Sequence, residues 1–316
     1  MKILLLIFII LAAFLSIMIV ISFFFYDISI NPNSAKNKKK TEDDSLEYEK
    51  DFTWFDAQNK KSIFLIAYDN LQLHADLILH PHSSKWAILC HGYTSYAKKM
   101  AYQAEHFFNM GYNILIPDAR GHGQSEGKYI GMGWHERLDI VRWAQWITTQ
   151  YQNTKITLYG ISMGAATVMM TAGEKLPCNV KCIIEDCGYA SVRGEFQHVL
   201  NHYMKIPSFP ILQISAIHTK LRAGYNYLKE GNAAEQLKKS HIPILFIHGQ
   251  QDTFVPFSMM QTVYEAAAGE KQTLIIPDAG HAECCMKNPD LYWKTIYHFL
   301  NHYIPEESST QKQAHA

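Results

Sequence analysis

Three rhythms of apolar and polar residues run along this chain. From Ile3 to Tyr26 no charged residue interrupts a stretch dominated by Ile, Leu, Phe and Val. At about 1.5 Å of rise per residue, such a stretch crosses a hydrocarbon layer about 30 Å thick with some tilt. A cleaved leader is the competing reading, but the stretch exceeds the roughly 7–15 apolar residues of a leader's core and no small-x-small site follows it closely. The pattern predicts an uncleaved single-pass membrane anchor over residues 1–26. Only Lys2 and the amino terminus precede the span, whereas Lys36, Lys38, Lys39 and Lys40 follow it, a bias that holds the following chain in the cytoplasm. Long domains behind a signal anchor often cross regardless of that bias, so the side is left open.

The second rhythm is polar. Residues 27–60, with Asn31 to Asp51 rich in Asn, Lys, Ser, Glu and Asp, read as a solvated tether. The third rhythm alternates strand and helix periods over residues 61–304. Leu71, Leu73, Ala75, Leu77 and Leu79 alternate with more polar neighbours, which predicts a half-buried strand joined through the turn Asp69-Asn70 to another over Ser62 to Tyr68. Trp86 to Cys90, Tyr112 to Ile116, Lys155 to Tyr159, Val180 to Glu185 and Ile242 to Gly249 are apolar runs of buried strands, and Gln272 to Ile276 completes the set. Helices are predicted from about Tyr96 to Met110, from Trp134 to Tyr151, near Ser258 to Ala268, and at the end, where Trp293, Ile296, Tyr297 and Leu300 share one face. This alternation predicts an α/β fold, a parallel sheet with helices on both faces. Residues 188–240 break it. They are helical in flavour, carry Pro207 and Pro210, and are studded with His and Tyr. An insertion of that size on the side where strands end is expected to cover the active site as a lid. Residues 305–316 read as a polar tail.

The stretch from Ile156 to Ala166 reads as a strand, a turn and a helix in immediate succession. Gly160 and Gly164 bracket Ser162 as G-x-S-x-G, and a small, apolar run free of Gly and Pro follows from Ala165 to Ala172. That context suits a nucleophile elbow, a hydroxyl held at the apex of a tight turn near a helix N-terminus. The chain contains its own control. Gly123-Gln124-Ser125-Glu126-Gly127 matches the same five positions, but it follows a Gly-rich loop and no helix start follows it. Ser125 is therefore read as a loop serine and Ser162 as the candidate nucleophile.

A serine hydroxyl needs a base, and the imidazole needs a carboxylate to fix its tautomer. Of sixteen histidines, His281 stands directly after the last core strand between Gly280 and Ala282. Asp252, in the loop Gly249 to Pro256, supplies the acid, and Asp186 is its rival. The chain order Ser162, Asp252, His281 matches hydrolases built on such a sheet. The amide of Met163 and that of Tyr93, in the turn His91-Gly92-Tyr93, are the expected donors to an oxyanion. His91 precedes a glycine turn and is read as structural.

Composition narrows the picture further. The chain balances 29 Lys and Arg against 29 Asp and Glu, which gives no reason to expect a nucleic acid or other polyanion as partner. Six cysteines lie scattered at 90, 178, 182, 187, 284 and 285, unlike a disulfide framework, so free thiols are expected, with a pair among Cys178, Cys182 and Cys187 left open. His281, Cys284 and Cys285 have no second pair at ligand spacing, and no metal is expected.

In these motifs, from His91-Gly92-Tyr93 through Asp118 to Ser125, Gly160 to Gly164, Gly249 to Pro256 and Gly280-His281, the chain from about Ser62 to Tyr303 resembles the α/β-hydrolase superfamily. Within it, the likeness is to the group of membrane-anchored bacterial esterases, monoglyceride-lipase-like enzymes and serine aminopeptidases. The resemblance implies a mostly parallel eight-stranded sheet, an acyl-enzyme on Ser162, deacylation by water activated through His281, and no metal or organic cofactor. The expected activity is hydrolysis of a small-molecule or lipid-derived carboxylic ester. A serine peptidase is the enzymatic alternative, and a non-catalytic binding protein on the same fold is the other.

Overall fold

The computed structural model of the chain describes residues 1–34 and 51–306. Residues 35–50 of the expected tether and all but the first two residues of the expected tail lie outside the described residues. Eight strands form one sheet: β1 (Lys61–Ile66), β2 (Gln72–Ile78), β3 (Lys85–Cys90), β4 (Asn113–Pro117), β5 (Lys155–Ile161), β6 (Val180–Asp186), β7 (Ile244–Gly249) and β8 (Lys271–Ile276). Their spatial order is β1-β2-β4-β3-β5-β6-β7-β8. β2 runs antiparallel to both β1 and β4, and every other neighbouring pair is parallel.

Period-two alternation sorts the strand residues between two cores. Trp86, Ile88 and Cys90 of β3 join one apolar cluster, whereas Ala87 and Leu89 join the other. Helix α1 (Lys2–Ile30) precedes the sheet, and a short α2 (Thr53–Ala57) leads into it. α3 (Ala101–Asn109) covers one face, extended at its start by a tight turn over Ala97–Met100, and α4 (Glu136–Gln150) covers the other through Ile140, Trp143, Ala144 and Ile147. α5 (Met163–Ala172) is buried along its whole length beside α4. The insertion between β6 and β7 holds α6 (Val192–His198), which continues as one π-turn through Val199–Tyr203, then α7 (Ile211–Ala223) and α8 (Ala233–Leu237). α9 (Phe257–Ala266), α10 (Cys284–Lys287) and α11 (Pro289–Tyr303) complete the chain.

The strand order places the site. From β3 the chain moves to β4 on one side and then crosses to β5 on the other. Loops leaving β3 and β5 therefore diverge, and the crevice between them lies at the carboxyl ends of the strands, where open parallel sheets bind ligands.

The long turn after β4 is pinned by a buried cation. Arg120 is fully buried and forks onto both oxygens of Asp139 in α4 at 2.8 and 2.7 Å, while its other amino group reaches Asp69 at 2.8 Å and the Tyr129 hydroxyl at 3.1 Å. The planar guanidinium thus ties three segments together, a geometry lysine cannot supply. Arg120→Met, which leaves Asp139 and Asp69 without their counter-ion, is expected to cost about 3–5 kcal/mol of unfolding free energy, read as a lower urea midpoint. A change below about 1 kcal/mol would mean the pair behaves as a surface bridge.

Candidate active site

Ser162 sits between the last residue of β5 and the first of α5, with φ 55° and ψ −115°. A non-glycine residue at positive φ stores strain of order 1–3 kcal/mol, and the neighbours show what holds it. A Cβ on Gly164 would lie 2.0 Å from the Cys90 carbonyl oxygen, and one on Gly160 would lie 2.2 Å from the Gly164 carbonyl oxygen. Only glycine lets the turn close so tightly. The Ser162 amide donates to the Asp186 carbonyl at 2.8 Å, and the Ser162 carbonyl accepts from Ala166 at 3.0 Å, so both ends of the turn are tied down.

The Ser162 hydroxyl meets His281 Nε2 at 2.9 Å, and His281 Nδ1 meets Asp252 Oδ2 at 2.8 Å. A carboxylate only accepts, so Nδ1 carries the proton, Nε2 of the neutral ring is the acceptor, and the hydroxyl donates to it. Asp252 is buried, which raises its pKa. Contacts from His248 and His281 outweigh that effect and bring it down to about 2. Its Oδ1 also accepts from the amides of Phe254 and Val255, both at 2.9 Å, and such donors favour the charged form. His248, at the end of β7, gives Nε2–H to the Val255 carbonyl at 2.9 Å and lies 3.4 Å from Asp252 Oδ2.

Asp186, the rival acid, is turned elsewhere. Its Oδ2 accepts from the Tyr292 hydroxyl at 2.7 Å, and burial pushes its pKa up to about 6. Ser125 is likewise structural: its hydroxyl donates to the Asp118 carbonyl at 2.7 Å and accepts from the His74 amide at 2.9 Å. His91 spends both ring nitrogens on the backbone, donating from Nδ1 to the Gly92 carbonyl at 2.8 Å and accepting at Nε2 from the Ala119 amide at 3.0 Å.

Met163 is the first residue of α5, and the first amides of a helix have no intrahelical acceptor. The turn carrying Tyr93 lies alongside, since a Cβ on Gly92 would be 3.6 Å from Ser162 Cβ. Tyr93, Ser162 and Met163 line one cavity of about 320 Å³. A hydroxyl that can pass its proton to an imidazole, beside helix-start amides and at the edge of an apolar cavity, is equipped for acyl transfer.

Two features of the cavity were missed in the sequence reading. Phe25, Ile28 and Ser29 of α1 line it, because α1 runs four residues past Tyr26 and buries Phe25, Tyr26 and Ile30 against the domain, a gain of about 1.5–3 kcal/mol for each large apolar side chain. Excess length was the available signal: the uncharged run from Ile3 to Tyr26 extends about 36 Å as a helix, more than a bilayer core needs. Glu195 of α6 also lines the cavity. It is 3% exposed, neither carboxyl oxygen has a partner among the described residues, and burial pushes its pKa up to about 8.

All six cysteines are free thiols. Donor atoms of Cys187, Asp252 and His281 lie within 4.8 Å of one another, but both His281 ring nitrogens are already engaged, Nδ1 with Asp252 and Nε2 with Ser162.

A family model described as serine aminopeptidase, S33, matches residues 81–216. The Bacillus subtilis protein YqkD is 32% identical over 275 residues, covering 84% of this chain and 88% of that protein. An Arabidopsis thaliana α/β-hydrolase domain-containing protein, WAV2, is 26% identical over 206 residues, covering 62% of each. Among solved structures, the Pyrococcus furiosus esterase Pf2001 superposes with a TM-score of 0.65 at 24% identity over 78% of this chain and 92% of its own. Acetyl xylan esterase 1 from Thermoanaerobacterium superposes with a TM-score of 0.58 at 18% identity over 76% of this chain and 83% of its own. Those two likenesses show the fold, and together with the eight-stranded sheet, the glycine-framed turn at Ser162 and the extended match to YqkD they lead to one conclusion: the chain belongs to the α/β-hydrolase family.

Proposed function

We propose that this hydrolase is a membrane-tethered serine enzyme that cleaves carboxylic esters through an acyl-enzyme on Ser162. The observation that carries the reading is the unbroken relay from Ser162 Oγ through His281 to the buried Asp252 carboxylate, 2.9 and 2.8 Å long. As Oγ attacks the ester carbonyl, His281 Nε2 takes its proton, and the carbonyl oxygen, now anionic, is received by the amides of Met163 and Tyr93. The imidazolium gives that proton to the departing alcohol. Water then repeats the sequence on the acyl-enzyme and releases the acid. Asp252 stays charged throughout, holds the ring and stabilises its cationic form.

An apolar cavity rimmed by Phe196, Met204 and Phe254 suits an uncharged acyl group, and esterases stand among the structural neighbours. Residues 1–26 are read as the anchor, 27–60 as the tether, 61–304 as the hydrolase domain with 188–240 as its lid, and 305–316 as a tail. Docking of the end of α1 onto the domain supports its retention after synthesis. A serine peptidase is the second reading, favoured by the name of the matching family model and by Glu195, whose unpartnered carboxyl suits a substrate that brings a donor such as an amine. Matched ester and amide substrates separate the two. Preferred amide cleavage, lost in Glu195→Gln, would replace the ester reading.

A fluorophosphonate probe should label the wild type and not Ser162→Ala. Labelling that survives the substitution would remove Ser162 from the chemistry. Asp252→Asn should lower kcat by about 10⁴-fold, whereas Asp186→Asn, which keeps an acceptor for Tyr292, should change it by less than about tenfold. The opposite ranking would make Asp186 the acid.

The depressed pKa of Asp252 also predicts a stability signature. Its contribution is present above the ordinary carboxylate range and is lost as pH falls through the folded value near 2. Between about pH 4 and pH 2 the wild type should therefore lose about 2 kcal/mol that Asp252→Asn does not, measured as the difference between their unfolding free energies. Parallel profiles would show that the native carboxylate is not held below its usual range.

A further inference from the structure

The hydrolase domain does not enclose its cavity alone. One wall is the last two turns of α1, through Phe25, Ile28 and Ser29. A helix leaves its final carbonyls without intrahelical partners, and here the partners come from just beyond the helix and from the domain. Asp27 O accepts from the Asn31 amide at 3.2 Å and Ile30 O from the Ile130 amide at 2.7 Å. Ile28 O and Ser29 O accept from the Tyr93 hydroxyl at 2.9 and 3.1 Å. Tyr93 therefore joins the anchor to the turn that faces Ser162. Phe25 packs edge-on against Phe196 of α6 with centroids 5.3 Å apart, and Phe23 stacks on His218 of α7 at 3.6 Å.

The other end of the same helix is its opposite. From Ile3 to Val20 its large apolar side chains, Met18 apart, stand open to the surroundings. This part is about 27 Å long, close to the thickness of a hydrocarbon core. α1 contains neither Gly nor Pro, the usual causes of a kink, so the exposed rod and the docked end form one continuous helix. Phe25 follows Val20 by about 8 Å along the axis.

A second observation comes from the insertion. Outside α1, the three most exposed large apolar side chains among the described residues are Leu221 (78%), Phe209 (73%) and Ile217 (58%). Ile217 and Leu221 lie one turn apart on α7, the helix that packs along α1. Lys220 and Arg222, both exposed, flank Leu221, as cations do beside apolar residues that enter a headgroup layer.

We infer that the catalytic cavity opens at the bilayer surface, with α1 serving both as anchor and as cavity wall, and that its substrates are esters of aliphatic acyl chains drawn from the membrane. This rests on the ester-hydrolase reading above. Phe209, Ile217 and Leu221 seat the insertion in the lipid surface beside the exit point of α1. An acyl chain then passes from lipid to the apolar cavity without exposing its length to water, which would otherwise cost about 0.8 kcal/mol per methylene.

The test uses the full chain with an N-terminal tag, reconstituted in phosphatidylcholine vesicles. It compares p-nitrophenyl acetate, p-nitrophenyl decanoate and a monoacylglycerol held in the same vesicles. Ile28→Trp, which fills the cavity from α1, should lower the decanoate-to-acetate ratio of kcat/KM at least about tenfold. Phe209→Ser combined with Leu221→Ser, a surface change that leaves the core intact, should lower the ratio of vesicle-held to acetate turnover at least about tenfold. The mature protein should keep its tag. Loss of the tag, or both ratios unmoved while acetate is still hydrolysed with Ser162 dependence, overturns the inference and leaves the hydrolase reading standing. No Ser162-dependent turnover of any ester sinks that reading instead.

Discussion

The close approach of α5 to the end of β3 is the constraint on which the site depends. With a carbonyl oxygen only 2.0 Å from where a Gly164 side chain would begin, the helix can start against the neighbouring strand only if that position is bare. Its first amide and the turn at Gly92 are thereby brought to the same small region, and Ser162 is forced into a backbone conformation that lifts its hydroxyl to the rim of the sheet. The split of the chain around β3 supplies the opening into which that hydroxyl faces. Sheet order and turn geometry thus act together: one makes the crevice, and the other aims a group into it.

Electrostatics fixes the remaining partners. Asp252 is out of contact with water, yet two backbone amides and two imidazoles surround it, so the cost of burying its charge is met locally. Asp186 lies in a comparably buried place, but its clearest donor is a neutral phenol. The difference between the two carboxyls is therefore one of donors and not of depth, and it turns the imidazole toward the loop after β7.

Much of this was legible in the residue order, for identifiable reasons. Continuous apolar runs marked the central strands because both faces of a parallel sheet are covered, and their boundaries fall within a few residues of the observed ones. Two copies of the same five-residue serine pattern were separable because only one follows a strand and precedes a helix-forming run. Ser125 proves to be packed into the loop that Arg120 pins. Strand order was not legible from local pattern, since pairing joins residues distant in the chain; the eight-stranded sheet came from family resemblance. The end of α1 was hidden for another reason: composition alone does not tell an apolar side chain left open from one packed into a protein core, so the change of burial after Val20 leaves no mark beyond excess length. Glu195 gave no signal either, because a single acid on a short helix reads as a solvated position until its surroundings are known.

Docking of α1 also sets what counts as the smallest complete enzyme. A recombinant fragment trimmed to the first strand would retain the sheet, the hydrogen bonds joining Ser162, His281 and Asp252 and the turn at Tyr93, yet it would lack one side of the cavity beside Ser162 and leave the Tyr93 phenol without the helix end it grips. Trimming would come with an altered binding site, so substrate profiles measured on the fragment would describe a different molecule from the one that keeps α1.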